Sequence, residues 1–82
     1  MPDSYPCPCC GFLTLSEPPP GTFVICPVCG WEDDSVQFYD PQYACGANAV
    51  SLEQARLNFR AFGASMAEDV SRVRRPNQEE IP

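Results

Sequence analysis

Two copies of Cys-Pro-x-Cys-Gly, two short apolar runs between them and a capped amphipathic segment after them predict a small metal-stabilised α+β domain. Its cysteine-bearing hairpin would be followed by one or two C-terminal helices. The chain has 82 residues. Domains of that size bury little apolar surface and borrow stability from a metal, disulfides or a partner. Residues 1–82 therefore read as one domain. Residues 1–6 are a loose lead-in, 7–30 the knuckles and hairpin, 31–50 an acidic aromatic connector, 51–75 a helical segment and 76–82 a tail that unravels.

The knuckles are Cys7-Pro8-Cys9-Cys10-Gly11 and Cys26-Pro27-Val28-Cys29-Gly30. Two thiolates separated by two residues grip one ion from a tight turn. Proline fixes the entry φ, and glycine tolerates φ > 0, which lets backbone N–H groups face the sulfurs. The fifteen residues between Cys10 and Cys26 are the spacing of a four-cysteine zinc site, so the hairpin is zinc-ribbon-like. Cys7, Cys10, Cys26 and Cys29 are the expected ligands of one Zn2+ per chain, with iron less favoured. Cys9 matches Val28 in the repeat and is not a ligand on that reading. Cys45 has no partner in the pattern.

Phe12-Leu13-Thr14-Leu15 and Phe23-Val24-Ile25 are short enough for strands and rich in apolar or β-branched residues, and they are expected to pair. The proline-rich stretch from Ser16 to Thr22 between them can only be a loop. Trp31 is expected to pack over a knuckle or the hairpin. In the connector, Glu32, Asp33, Asp34 and Asp40 could form a recognition patch for a cationic partner, or simply a solvated turn. Phe38, Tyr39 and Tyr43 could add contacts or close the core.

Ser51 is a natural N-cap, and Gln54 three residues on completes a capping box. Leu52, Ala55, Phe59 and Phe62 fall on one helical face, Glu53, Arg56 and Arg60 on another at ion-pairing distance, and Gly63 suits the C′ position. Ser65 and Glu68 repeat the capping pattern, and Met66, Val70 and Val73 outline a second, weaker helix or turn that Pro76 ends.

Net charge is −6. Residues 1–55 hold seven carboxylates and no basic side chain, whereas 56–82 hold five arginines and four carboxylates. That field repels nucleic acid and attracts a basic protein surface. There is no histidine and no lysine, and a four-thiolate zinc leaves no position for water, so an enzyme is not expected. Residues 1–15 carry no Lys or Arg and are broken by Pro2, Pro6 and Pro8, unlike a signal peptide. No apolar run could cross a bilayer. A cytoplasmic, reducing location follows as an expectation, and it favours metal thiolates over disulfides.

The sequence resembles the bacterial cysteine-rich CPCC family. The resemblance rests on Tyr5–Gly11, Leu13–Leu15, Pro18–Thr22, Ile25–Cys29, Trp31–Asp34, Gln37-Phe38, Gly46–Asn48, Val50–Leu52, Ala55-Arg56, Asn58-Phe59 and Phe62–Ala64. Gly30 stands where a bulkier residue is expected, and Cys45 where glycine is expected. By analogy with small acidic bacterial proteins, the resemblance suggests an immunity protein that neutralises a basic toxin domain. That would be one form of a zinc-stabilised protein-binding module. A rubredoxin-like electron carrier and a nucleic-acid-binding zinc ribbon are the alternatives.

Overall fold

The computed structural model describes residues 4–82. The first three residues of the expected lead-in lie outside the described residues.

Each knuckle closes on itself in the same way. The Gly11 N–H donates to the Cys7 carbonyl at 2.8 Å, and the Cys7 N–H donates to the Phe12 carbonyl at 2.9 Å. This turn folds β2 (Leu13–Leu15) back onto β1 (Tyr5–Pro6) as an antiparallel pair, Tyr5 opposite Leu15 and Pro6 opposite Leu13, with a bulge between Tyr5 and Pro6. In the second knuckle the Gly30 N–H reaches the Cys26 carbonyl at 2.8 Å and the Cys26 N–H the Trp31 carbonyl at 2.9 Å. Ile25 and Glu32 are then antiparallel partners. Gly11 and Gly30 sit at φ +82° and +87°, the left-handed region such turns require.

The expected pairing of Phe12–Leu15 with Phe23–Ile25 is therefore not formed. Each run pairs across its own knuckle, and Tyr5–Pro6 is a strand rather than a loose lead-in. The reason is local: each knuckle turn is closed by its own hydrogen bonds and brings its flanks together, whereas Pro18, Pro19 and Pro20 offer no backbone N–H to close a tight turn between the two runs. The knuckle glycine amides also bond carbonyl oxygens rather than sulfurs.

The connector is organised by buried polar side chains. Asp34 caps the short helix α1 (Ser35–Tyr39) through Oδ1, which accepts the Val36 N–H at 2.9 Å, and its Oδ2 accepts the Ala47 N–H at 2.8 Å. Gln37 is fully buried. Its Nε2 lies within 2.9–3.1 Å of the Tyr43, Asn48 and Val50 carbonyls, and its Oε1 accepts from the Asn48 backbone and side chain. These bonds satisfy a loop that has no ladder of its own.

Helix α2 (Leu52–Phe62) begins at Ser51, whose Oγ accepts the Gln54 N–H at 3.1 Å, and ends at Gly63 with φ +85°. The Gln54 side chain donates to Asn58 Oδ1 rather than returning to Ser51, so only half of the expected capping box forms. Leu52 and Ala55 are buried, and Phe59 meets Phe12 edge-on with ring centroids 6.2 Å apart. Phe62 is 42% exposed: the apolar stripe outlasts the surface it packs on. The expected pairing of Glu53 with Arg56 and Arg60 is also absent among the described residues. Arg56 instead donates from Nε to the Pro8 carbonyl at 2.9 Å, tying α2 to the first knuckle.

Beyond Gly63 a single 3-10 turn, Ala67–Asp69, replaces the second helix. Ser65 is not its cap. Ser65 is buried, its N–H donates to the Cys29 carbonyl at 2.7 Å, and its own carbonyl accepts from Asn58 Nδ2. These ties pull the chain off a helical path.

The tail does not unravel. The Arg74 N–H donates to the Pro27 carbonyl at 3.1 Å, and Asn77 and Glu80 form a reciprocal capping box around a 3-10 turn at Gln78–Glu80, which lies against β2. Arg74 grips Glu80 through two bonds of 2.9 and 2.8 Å. The core gathers Cys7, Leu15, Cys26, Val28, Cys29, Trp31, Leu52 and Ala55, so Trp31 packs among the knuckle cysteines as expected.

Candidate metal centre

Closing each knuckle by its own strand pair leaves the two turns free to face each other across the core. The four sulfurs of Cys7, Cys10, Cys26 and Cys29 lie within 4.8 Å of one another. Two cross-knuckle separations are Cys7–Cys29 at 3.6 Å and Cys10–Cys26 at 3.7 Å. A tetrahedron with metal–sulfur bonds of about 2.3 Å has edges of about 3.8 Å. All six cysteines are free, so these contacts are not disulfides. The arrangement can hold one metal ion, with a ligand from each of four residues.

The centre is largely shielded. Cys7, Cys26 and Cys29 are buried and Cys10 is half-buried. Two groups approach the sulfurs from outside the four: Thr14 Oγ1 lies 3.0 Å from Cys26 Sγ, and the Trp31 N–H donates to Cys29 Sγ at 3.4 Å. Such donors offset thiolate charge and orient the ligands.

Crowding decides the thiol chemistry. Hydrogen bonding with Cys10 and Cys26, reinforced by burial, pushes the Cys7 thiol up. Contacts with Cys26 and Cys29 push Cys10 up. Cys29 is pulled down by Cys10 but driven up further by Cys26, Cys7 and Cys9. Cys26 goes the other way: hydrogen bonds from Cys10, Cys29 and Cys7, with Thr14 behind them, hold it well below the usual thiol range. Without a cation the four cannot all ionise, because like charges this close repel. A cation at their centre reverses that balance and releases the protons.

A model of the family described as cysteine-rich CPCC matches residues 5–80. The chain belongs to the cysteine-rich CPCC family. No curated protein matches it. The family match runs through the tail, past the point where the motif resemblance ends at Ala64. The structure supplies a reason, since Arg74 and Glu80 lock that tail back onto the second knuckle and β2.

Both departures from the CPCC pattern have a structural reading. Cys45 has φ +65°, a conformation natural to the glycine expected there. At Gly30 the φ of +87° combines with a close neighbour: a Cβ would stand 2.9 Å from Asp69 Oδ2. Cys9 is buried within the core but outside the four-sulfur group, and Cys45 is exposed.

The acidic patch divides, and part of it is corrected. Asp33 and Asp34 are buried. Asp33 Oδ2 accepts the Thr22 N–H at 3.0 Å and the Thr22 hydroxyl at 2.8 Å, while Asp34 caps α1 and holds Ala47. Carboxylates engaged by their own chain cannot present themselves to a partner. Glu32 is half-buried, and Asp40, Tyr39 and Tyr43 are exposed. Phe38 is half-buried and meets Tyr39 edge-on with centroids 5.2 Å apart.

Sequence reasoning missed Thr14, Gln37 and Asn48 as supports of this architecture. All three lie within the stretches that carry the CPCC resemblance, and nothing in periodicity marks them. Among the described residues, no helix is long and apolar enough to cross a membrane.

Proposed function

We propose that the chain is a zinc-stabilised module that binds a basic protein partner and has no catalytic activity of its own. The observation that supports it best is the closed set of four sulfurs, with cross-knuckle separations matching the edge of a tetrahedron. Four thiolates fill zinc's preferred coordination and leave no position for a reacting water. The metal would then supply folding free energy rather than chemistry.

The partner contact follows from charge and exposure. With Asp33 and Asp34 committed to the interior, the interface centres on Tyr39, Tyr43 and Asp40, with Phe38 and Glu32 at its margin. Tyr39 is 75% exposed and Tyr43 45%, and neither is needed to close the core. Rigid aromatic side chains beside carboxylates suit a cationic protein surface. Immunity against a basic toxin domain is the specific form of this reading: the module would cover the toxin's functional surface.

Elemental analysis tests the metal. One zinc per chain agrees, and a red protein with strong visible absorption would mean iron and an electron carrier. The partner half is tested by affinity capture from the native host with Tyr39→Ala/Asp40→Asn as the matched control. A stoichiometric basic protein retained by the wild type and lost by the variant supports it. Equal recovery on both removes the interface from this surface.

A further inference from the structure

Five arginines serve the whole chain. Arg72 pairs with Asp69 and Arg74 with Glu80. Arg56 and Arg60, one turn apart on α2, form no ion pair among the described residues, although Glu53 lies within a turn of Arg56. Arg56 is half-buried and pinned by its Nε bond to the Pro8 carbonyl at 2.9 Å. Its terminal nitrogens make no hydrogen bond to the described residues. Both arginines line an open cleft of about 560 Å3 between α2 and the first knuckle. The cleft also takes in Pro8, Phe12, Phe59 and Cys10 of the four-sulfur group, and among the described residues no carboxylate lines it. A neighbouring groove that shares both arginines contains Asp40 and Glu53, so the acid-free character belongs to the knuckle side alone.

We propose that this cleft is a binding site for an oxyanion carried on a flat apolar body. The guanidinium donors of Arg56 and Arg60 would hold the carboxylate or phosphoryl group. The edge-packed rings of Phe12 and Phe59 would take the apolar part. Three features support it together. Arg56 is preorganised by the backbone, so little side-chain entropy remains to be lost on binding. The two cations repel each other across one helical turn until an anion sits between them. In a chain of net charge −6, an anion meets few other surfaces that accept it. The cleft adjoins the groove that holds Asp40, and its argument does not rest on the partner reading.

The test is an amide and arginine Nε–H NMR titration of the metal-loaded protein at constant ionic strength. The probes are inorganic phosphate, phenyl phosphate and benzoate. Saturable shifts at Arg56 Nε–H, Gly11 and Phe12 are expected with phenyl phosphate or benzoate, and binding several-fold tighter than that of inorganic phosphate. Whichever aromatic probe binds more tightly identifies the oxyanion. Arg60→Gln should weaken binding at least about tenfold, the loss of a charge-assisted contact, while Arg72→Gln leaves it unchanged. Three results would overturn the proposal. They are shifts that never saturate, equal binding by Arg60→Gln, and an Arg60→Gln protein that loses metal, which would assign the arginine to offsetting thiolate charge.

Discussion

The carboxamide of Asn48 pairs with both backbone groups of Glu32. Its Oδ1 accepts the Glu32 N–H and its Nδ2 donates to the Glu32 carbonyl, each at 2.8 Å. Asn48 thus stands in for a neighbouring strand beside the second knuckle's ribbon, and through Gln37 it draws the connector onto that ribbon. Asn48→Ala leaves two part-buried backbone groups of Glu32 and the buried Gln37 Oε1 short of a partner. It should cost about 3 kcal/mol, read from denaturant unfolding of the metal-loaded protein. A loss under about 1 kcal/mol would mean that solvent reaches Glu32.

Asp33→Asn and Asp34→Asn should lower the melting temperature, because each carboxylate accepts two donors of its own chain. A cost of roughly 1–2 kcal/mol per variant is expected, the scale of a lost cap or charged hydrogen bond. Asp40→Asn should leave melting unchanged, since Asp40 is exposed. Thermal scans of the three variants side by side separate interior from surface acids.

On α2 the two aromatic residues should differ. Phe59 packs against Phe12, and its replacement by alanine should cost about 2–4 kcal/mol. Phe62 is exposed, and Phe62→Ala should cost less than about 1 kcal/mol. Equal effects would mean that the helix is rotated or longer than described.

Cys45→Gly should stabilise the fold by about 0.5–1 kcal/mol and leave metal content unchanged. It removes a side chain from a left-handed residue at φ +65°. Cys9→Ser should also keep the metal. Loss of metal in either variant would place that sulfur among the ligands.

The tail carries a pH dependence of its own. The Arg74 guanidinium, aided by the Asn77 amide, holds the Glu80 carboxyl below its ordinary value. A depressed acid adds stability that is present above its unfolded value and is lost as pH falls through its folded value. Arg74 is exposed, so salt screens the pair. Protection against exchange of the Arg74 amide, whose N–H bonds Pro27, should fall as pH drops through the lowered value of Glu80, and Glu80→Gln should show that reduced protection at neutral pH.

What the sequence made legible is what short-range repetition and capping encode. Cys-Pro-x-Cys-Gly is a self-contained turn, so writing it twice specifies the four clustered cysteines and both glycine conformations. Ser51 and Gly63 mark the ends of α2 by local chemistry alone. Strand pairing is less legible, because β propensity says which segments are extended and not which segments meet; the hydrogen-bonded knuckle turns decide that. Asp33 and Asp34 look like surface residues in any composition argument, and only tertiary contact shows that Thr22, Val36 and Ala47 require them inside. The tail fold depends on Arg74 finding Pro27, forty-seven positions away, which periodicity does not register.

The central claim is that one metal ion on four thiolates holds this fold together. Native mass spectrometry of the purified protein, followed by thermal unfolding with and without a strong chelator, tests it most directly. The account predicts one zinc per chain in place of four thiol protons and a folded state that chelation abolishes. Cys26→Ser should reproduce the chelated behaviour without chelator. A metal-free chain that unfolds cooperatively at the same temperature with or without chelator would contradict it.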